Sequence, residues 1–215
     1  MKHLCAIAFD FDGTLIESNR IKDDTFATIF SKWPDHYEYM MDWHLARNTV
    51  DRENKFRYFV EKVQKQPGNE KLIKQLTLKF SKLTYSAIVN CRMVEGAQLF
   101  LDNFKGRIPM FLLSATPQDE LMKIVRERGM HKYFKKVYGA PINKSEILKI
   151  ILKAEKINPD KMLFIGDAHE DWLAAESLGV PFFGRQSDRS LKSITSPVFQ
   201  DFDSINEQFE HYYDI

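Results

Sequence analysis

Apolar positions in the second half of the chain alternate between two periods. Short continuous runs read as buried strands: IPMFLLSA (108–115), KKVYGA (135–140), KMLFIGD (161–167) and VPFFGR (180–185). Between them lie helical patterns: PQDELMKIVRERG (117–129), KSEILKIILKAEK (144–156) and EDWLAAESLG (170–179). In the middle helix Ile147, Ile150, Ile151 and Ala154 are expected on one face, and Gly129 and Gly179 stop the other two. Strands that alternate with helices at this spacing predict βαβ units and a parallel sheet. An earlier strand, opening at Ile7, belongs to the same sheet by its continuous apolar run.

The first half has only the helical period. Phe26, Ile29, Phe30 and Trp33 follow i, i+3, i+4, i+7, as do Phe56, Phe59, Val60 and Val63. Leu72, Leu76, Phe80, Leu83 and Ala87 extend the pattern, and PGN at 67–69 breaks two of these helices. The fold class expected is therefore α/β, with a helical insertion over 17–92 inside a parallel-sheet domain formed by 1–16 and 93–215. The tail from 187 has weak signals, with a short helix expected over 204–212.

Composition narrows the classes. The chain has 215 residues and a formal net charge of +1, so no strong field draws it to nucleic acid or a membrane. Two cysteines, Cys5 and Cys91, make no disulfide framework, and neither has a Cys or His neighbour at zinc-ligand spacing. The N-terminal apolar run meets Asp10 too soon for a signal peptide, and no stretch reaches membrane-spanning length. A reducing, cytoplasmic setting is expected.

Candidate chemistry collects where the strands end, which is where open parallel sheets bind ligands. Asp10 and Asp12 follow the first strand and Ser114 the second; Lys144 follows VYGAPIN, and Asp167 and Asp171 follow MLFIG. Acids with further oxygen donors suit Mg²⁺, while a hydroxyl and an amine suit a phosphate. Each residue alone has a plainer reading. Asp167 with Glu170 reads equally as a helix-capping pair, and Ser114 as a strand end. Thr116 reads as an N-cap with Pro117 at the first helical position. Lys144 is harder to explain so, because a helix N-terminus disfavours a cation. Asp10 and Asp12 are hardest, because aspartate is rare in strands and costly when buried unpaired.

DFDGT (10–14), then Ser114 after an apolar strand, then Lys144, then GDAHED (166–171) resembles the four motifs of the haloacid dehalogenase superfamily over nearly the whole chain. Two departures are small: Ala168 stands where relatives often have Ser or Thr, and SAT replaces the more usual Ser or Thr followed by Asn or Gly. The insertion looks like the cap of the phosphoglycolate phosphatase and β-phosphoglucomutase branch. The resemblance implies a Rossmann-like core with an α-helical cap, and a Mg²⁺-dependent phosphomonoester hydrolase working through an aspartyl-phosphate. By position Asp10 would be the nucleophile and Asp12 the general acid and base. Asp10, Asp12 (through its carbonyl), Asp167 and Asp171 would hold the metal. Ser114 and Lys144, with backbone N–H groups about Gly13 and Ala115, would hold the phosphate. A phosphosugar mutase with the same nucleophile is the close alternative. A signalling receiver domain has similar residues, but its lysine comes last and it has no helical insertion.

Basic residues of the insertion include Arg20, Lys22, Arg47, Arg52, Lys55 and Arg57, and most read as solvated surface. Arg47, Arg52 and Lys55 are the best substrate contacts, because ARNTVDRENK (46–55) is a polar joint between helices and similar joints in the family face the active site. Trp43 and His44, just before it, fit a core reading better. The expected partner is a small phosphorylated metabolite, with no nucleic acid or membrane, and the chain is expected to be a monomer or weak dimer.

Overall fold

The computed structural model describes residues 2–47, 50–189, 191 and 193–214. The chain divides into two compact units: Met1–Glu17 with Arg92–Ile215, and Ser18–Cys91. We call them the sheet unit and the helical unit.

In the sheet unit the strands are β1 (Lys2–His3), β2 (Ala6–Asp10), β3 (Met110–Pro117), β4 (Lys136–Ala140), β5 (Met162–Gly166), β6 (Phe182–Arg185), β7 (Val198–Phe199) and β8 (Tyr213–Asp214). Six form one sheet in the order β4-β3-β2-β5-β6-β7, every pair parallel. β1 and β8 form a separate parallel pair. Because β2 lies centrally, the chain builds outward through β3 and β4, then returns across it to β5. That reversal is the topological switch at which such sheets bind ligands.

β2 is buried along its whole length, so its two faces are both core. Ala6 and Ala8 pack with Ile147, Leu148 and Ile151 of α7 (Lys144–Glu155) and Ala174 and Ala175 of α8 (His169–Glu176). Phe9 points the other way, against Phe100 of α5 (Ala97–Phe104) and Phe202 of α9 (Phe202–Tyr212), at centroid distances of 5.9 and 6.2 Å. Strand alternation then puts Asp10 on the face of Ala6 and Ala8, towards α7 and α8. Ile150 and Ala154, expected on the buried face of α7, are exposed; Leu148 takes their place beside Ile147 and Ile151. The remaining helix, α6 (Gln118–Glu127), buries Leu121, Ile124 and Val125. It starts later than expected: β3 continues through Pro117, which itself occupies the N-cap position, so Thr116 is a strand residue and no cap.

The helical unit consists of α1 (Asn19–Phe30), α2 (Pro34–Leu45), α3 (Arg52–Tyr58) with a π-helical extension Phe59–Val63, and α4 (Glu70–Asn90). Its core is aromatic, with Phe26, Phe30, Phe56, Phe59 and Phe80 among its buried residues. Asp51 caps α3 by accepting from the Asn54 N–H at 3.0 Å, and Asn69 caps α4 by accepting from Leu72 at 3.1 Å. The buried stripe of α4 differs from expectation. It runs Ile73, Leu76, Phe80, Thr84, Ile88, while Leu83 and Ala87 face outward. Thr84 can take a core position because its hydroxyl donates back to the Phe80 carbonyl at 3.0 Å. Asn48 and Thr49, in the middle of the joint between α2 and α3, lie outside the described residues.

Candidate functional site

Four strand ends and two helix starts supply the site, all within the sheet unit. After β2 the chain turns through Gly13, whose φ of 78° lies in the left-handed region that glycine tolerates. The Gly13 N–H donates to the Ile16 carbonyl at 2.8 Å, and Leu15 and Ile16 donate to Phe11 at 3.0 and 3.2 Å, so the turn closes on itself. On the next strand, pairing of β2 with β3 ends at Asp10 and Leu113, and the β3–β4 register shifts between Leu113 and Pro117. Ser114, Ala115 and Thr116 lie in that irregular stretch. There the Ser114 hydroxyl donates to Asp12 Oδ2 at 3.1 Å and accepts the Thr116 N–H at 3.0 Å. Thr116 Oγ1 approaches the same carboxylate oxygen at 3.5 Å. The misread cap is thus a hydroxyl beside Asp12.

The carboxylates of Asp10, Asp167 and Asp171 place one oxygen each within 4.8 Å of one another, and all three residues are buried. At that distance each like-charged pair would repel by about 3.5 kcal/mol at an effective dielectric near 20. Lys144 answers part of this. Its ammonium donates to Asp10 Oδ1 at 2.7 Å and also to Asp171 Oδ1. It occupies the first residue of α7, behind the Asn143 cap, so the carboxylates offset the unfavourable helix dipole. Asp171 is further held by the Ala168 N–H, at 3.2 Å from Oδ2. This is the half of a capping box that an alanine N-cap allows, and Ala168 with Asp171 replaces the expected Asp167–Glu170 pair. Gly166 is needed for this approach, since a Cβ there would stand 2.7 Å from Asp171 Oδ2.

The electrostatics agree with the geometry. Burial raises the Asp10 carboxyl well above the usual aspartate range; Lys144 opposes the rise, and Asp171, Asp167 and Asp12 add to it. Burial alone would lower the Lys144 ammonium, but Asp10 and Asp171 more than reverse this and raise it. Three acids beside the fixed Lys144 ammonium form a set of hard oxygen donors that fits a divalent ion such as Mg²⁺.

Two contributors were not singled out in the sequence. Ser187, just beyond β6, donates to Asp167 Oδ2 at 2.6 Å. Arg185, the last residue of β6, donates to the Gly13 carbonyl at 2.9 Å and forms an ion pair with Glu17 at 2.6 Å. Both stand in GRQS directly after the apolar run VPFF, the same place in a strand that marks the acids.

In the helical unit, Arg52 is buried and donates to Ser81 Oγ at 2.7 Å, with its guanidinium 5.2 Å from the centre of the Phe80 ring. Lys55 is also buried, with its ammonium 2.7 Å from His44 Nδ1 and 5.2 Å from the centre of the Phe26 ring. An ammonium only donates, so Nδ1 accepts and the ring proton sits on Nε2, which meets Asp23 Oδ1 at 2.8 Å. Arg47 is exposed, with its guanidinium 4.9 Å from the centre of the Trp43 ring, and Trp43 stacks on Tyr58 at 4.2 Å. Of the three basic residues in the joint, two are therefore built into the unit's interior and one lies on its surface.

Among solved structures the chain resembles a predicted phosphoglycolate phosphatase from Haemophilus somnus 129PT, at 17% identity and a TM-score of 0.75, covering 97% of this chain and 99% of that one. It also resembles CbbY from Rhodobacter sphaeroides in complex with xylulose-(1,5)bisphosphate, at 14% identity and a TM-score of 0.73, covering 94% and 96%. A third likeness is to a protein described as a β-phosphoglucomutase from Thermotoga maritima, at 18% identity and a TM-score of 0.69, covering 96% and 99%. At these identities the likeness is one of fold. No curated protein sequence matches the chain. Residues 7–184 match the profile described as haloacid dehalogenase-like hydrolase. That span covers well over half of the chain and includes the acids, the hydroxyl and the lysine at the strand ends, so the chain belongs to the haloacid dehalogenase-like hydrolases.

Proposed function

We propose that the protein is a Mg²⁺-dependent phosphatase that hydrolyses a small phosphorylated metabolite through an aspartyl-phosphate on Asp10. The observation that carries this reading is the buried Asp10, Asp167 and Asp171 cluster with Lys144 bonded into it. Asp10 and Asp167 would ligate the ion, with the Asp12 carbonyl and Asp171 completing or supporting the set. A bound Mg²⁺ would supply positive charge that keeps Asp10 ionised and offsets its repulsion from a phosphate dianion.

In the first step an Asp10 oxygen forms a bond to phosphorus while the ester P–O bond breaks, and Asp12 gives its proton to the leaving oxygen. In the second step Asp12 takes a proton from water, whose oxygen attacks phosphorus, and the bond to Asp10 breaks to release inorganic phosphate. The hydroxyls of Ser114 and Thr116 next to Asp12 fix its orientation for both transfers. Ser114, Lys144 and the Ala115 N–H would hold the phosphate oxygens, while Gly13, whose N–H is given to the Ile16 carbonyl, would shape the turn beside them. Residues 17–92 would act as the cap, with Arg47, Arg52 and Lys55 as specificity residues. A cytoplasmic setting fits Cys5 and Cys91, neither of which is in a disulfide, and among the described residues no helix is long and apolar enough to cross a membrane.

A phosphosugar mutase would use the same Asp10, and the fold likeness to a protein described as a β-phosphoglucomutase favours testing it. One experiment addresses both. Sugar phosphates and bisphosphates, glycolate phosphate and nucleotides are incubated with Mg²⁺ or with chelator, and free phosphate and isomerised ester are both measured. Mg²⁺-dependent release of phosphate is expected. Transfer to another hydroxyl without release would favour the mutase, and no reaction with any ester would overturn the enzyme reading.

A further inference from the structure

We propose that the segment leaving β6 is a positioning arm of the site, in which Ser187 orients Asp167 and Arg185 fixes the turn that bears Asp12. The inference rests on the metal-dependent reading of the site.

Strand register puts the arm at the right height. β5 and β6 pair with Gly166 opposite Gly184, so Arg185 and the residues after it leave the sheet level with Asp167. Ser187 is oriented rather than merely near. Its oxygen accepts the Arg189 N–H at 2.9 Å, which leaves its hydroxyl proton to point at Asp167 Oδ2, 2.6 Å away. The other oxygen of Asp167 is approached by the Thr14 hydroxyl at 3.5 Å. The same hydroxyl lies 3.4 Å from Asp10 Oδ2, so the firm hold on Asp167 is that of Ser187 on Oδ2. A carboxylate fixed at one oxygen presents the other in a set direction, which is what metal-ligand orientation requires.

Arg185 acts on the opposite wall. One of its terminal nitrogens donates to the Gly13 carbonyl at 2.9 Å, and the other meets Glu17 Oε1 at 2.6 Å. The two acceptors flank the turn from Gly13 to Glu17, and Asp12 immediately precedes it. Glu17 is fixed from a second side, its N–H donating to the Arg92 carbonyl at 3.1 Å. Arg185 is buried, yet among the described residues its Nε finds no hydrogen-bond partner. Leaving a buried guanidinium donor unpaired costs stability that an apolar side chain would not. The gain for this cost is a fixed Gly13 carbonyl, and with it a fixed Asp12.

The arm has two separable signatures. Mg²⁺ binding is measured by calorimetry on the metal-free protein, and kcat and KM are measured for a phosphate ester at saturating Mg²⁺. Ser187→Ala is expected to weaken Mg²⁺ binding ~10-fold or more, in the range usual for partners of metal ligands, with kcat at saturating metal little changed. Ser187→Thr, which keeps the hydroxyl, should restore the affinity. Arg185→Met is expected to weaken Mg²⁺ binding less than Ser187→Ala does, since it reaches the ion only through the Asp12 carbonyl, but to lower kcat by roughly 10- to 100-fold with little change in KM, the pattern of a misplaced proton donor, and Arg185→Lys should recover part of it. If the unaltered protein binds no Mg²⁺, the metal-dependent reading itself fails. If it binds Mg²⁺ and the Ser187→Ala protein binds equally well, or if Arg185→Met lowers the melting temperature with kcat intact, the positioning arm is overturned while that reading stands.

Discussion

The sheet unit and the helical unit both bury ionisable side chains, and they satisfy them in different ways. Around Asp10 the contacts join charge to charge: an ammonium to two carboxylates, with a third carboxylate close by. In the helical unit Arg52 and Lys55 have a hydroxyl, an imidazole and rings among their partners: Ser81, His44, Phe80 and Phe26, with His44 in turn bonded to Asp23. A charge-to-charge cluster responds strongly when one charge is added or removed, because every member's ionisation depends on the others. Cations packed against rings have their geometry set by the side chains around them. The first arrangement suits bond-making with proton and metal; the second holds its cations in place by packing.

The largest expected effect comes from deleting the reacting charge itself. Asp10→Asn should remove turnover, by ~10⁴-fold or more, since a carboxamide does not form the acyl-phosphate. Phosphate release with the best ester found measures it. Appreciable Mg²⁺-dependent turnover by this variant would end the division of labour drawn between the two units.

Lys144→Met tests whether the sheet-unit cluster depends on its one cation. Without metal, Asp10 and Asp171 would face each other with nothing between them, and removal of one partner of such a buried set typically costs about 3 kcal/mol. The sign with pH comes from Asp10, whose carboxyl burial already raises. Low pH neutralises it, so the loss should be large near pH 8 and smaller near pH 5, and Mg²⁺ should narrow it. Thermal melts with and without Mg²⁺ at the two pH values decide the matter; a loss independent of both would mean that Lys144 merely packs.

The helical unit should behave differently. Arg52→Ala removes a buried cation bonded to Ser81 and near the Phe80 ring, and under the proposed specificity role its effect falls on substrate choice. We expect kcat/KM for the preferred substrate to drop ~10-fold or more, through KM, with hydrolysis of a small generic ester nearly unchanged. Equal losses on both substrates would remove the specificity role and blur the contrast between the units.

The two regions also differ in how far the sequence revealed them. The acidic strand ends were legible because an acid after a buried apolar run is physically anomalous, and Asp10, Asp12 and Asp167 each follow one. The alternating second half was legible because βαβ units repeat two clear periods. Arg185 and Ser187 were missed although they come after an apolar run as well, because they fall outside the four motifs that set Ser114 and Lys144 apart. Thr116 was misread because Thr before Pro is a good local cap signal, and the strand's pairing overrode it. In the helical unit the i, i+3, i+4 pattern found the helices but placed Leu83 in the core where Thr84 belongs, since a back-bonded threonine is apolar enough to bury. The interior positions of Arg52 and Lys55 had no periodic signal, because sequence patterns treat every cation as surface.

The smallest effect separates the two causes of shifted ionisation inside the sheet unit. Lys144 is raised by charges acting against burial. Tyr213 is raised to about 12 chiefly by burial, with Tyr212 adding to it, as it packs on Phe183 and Phe209 at 5.7 and 5.5 Å. For a phenol raised in the folded state, the unfolded chain loses its proton first. Above pH ~10 the unfolded state therefore binds fewer protons, and stability falls as pH rises from about 10 to about 12. Tyr213→Phe keeps the ring and removes the ionisation, so it should flatten part of that decline, while Mg²⁺ has no influence on this part. Denaturant unfolding at pH 9, 10.5 and 11.5 measures the slope. An identical slope in the variant would overturn the role given to the buried phenol.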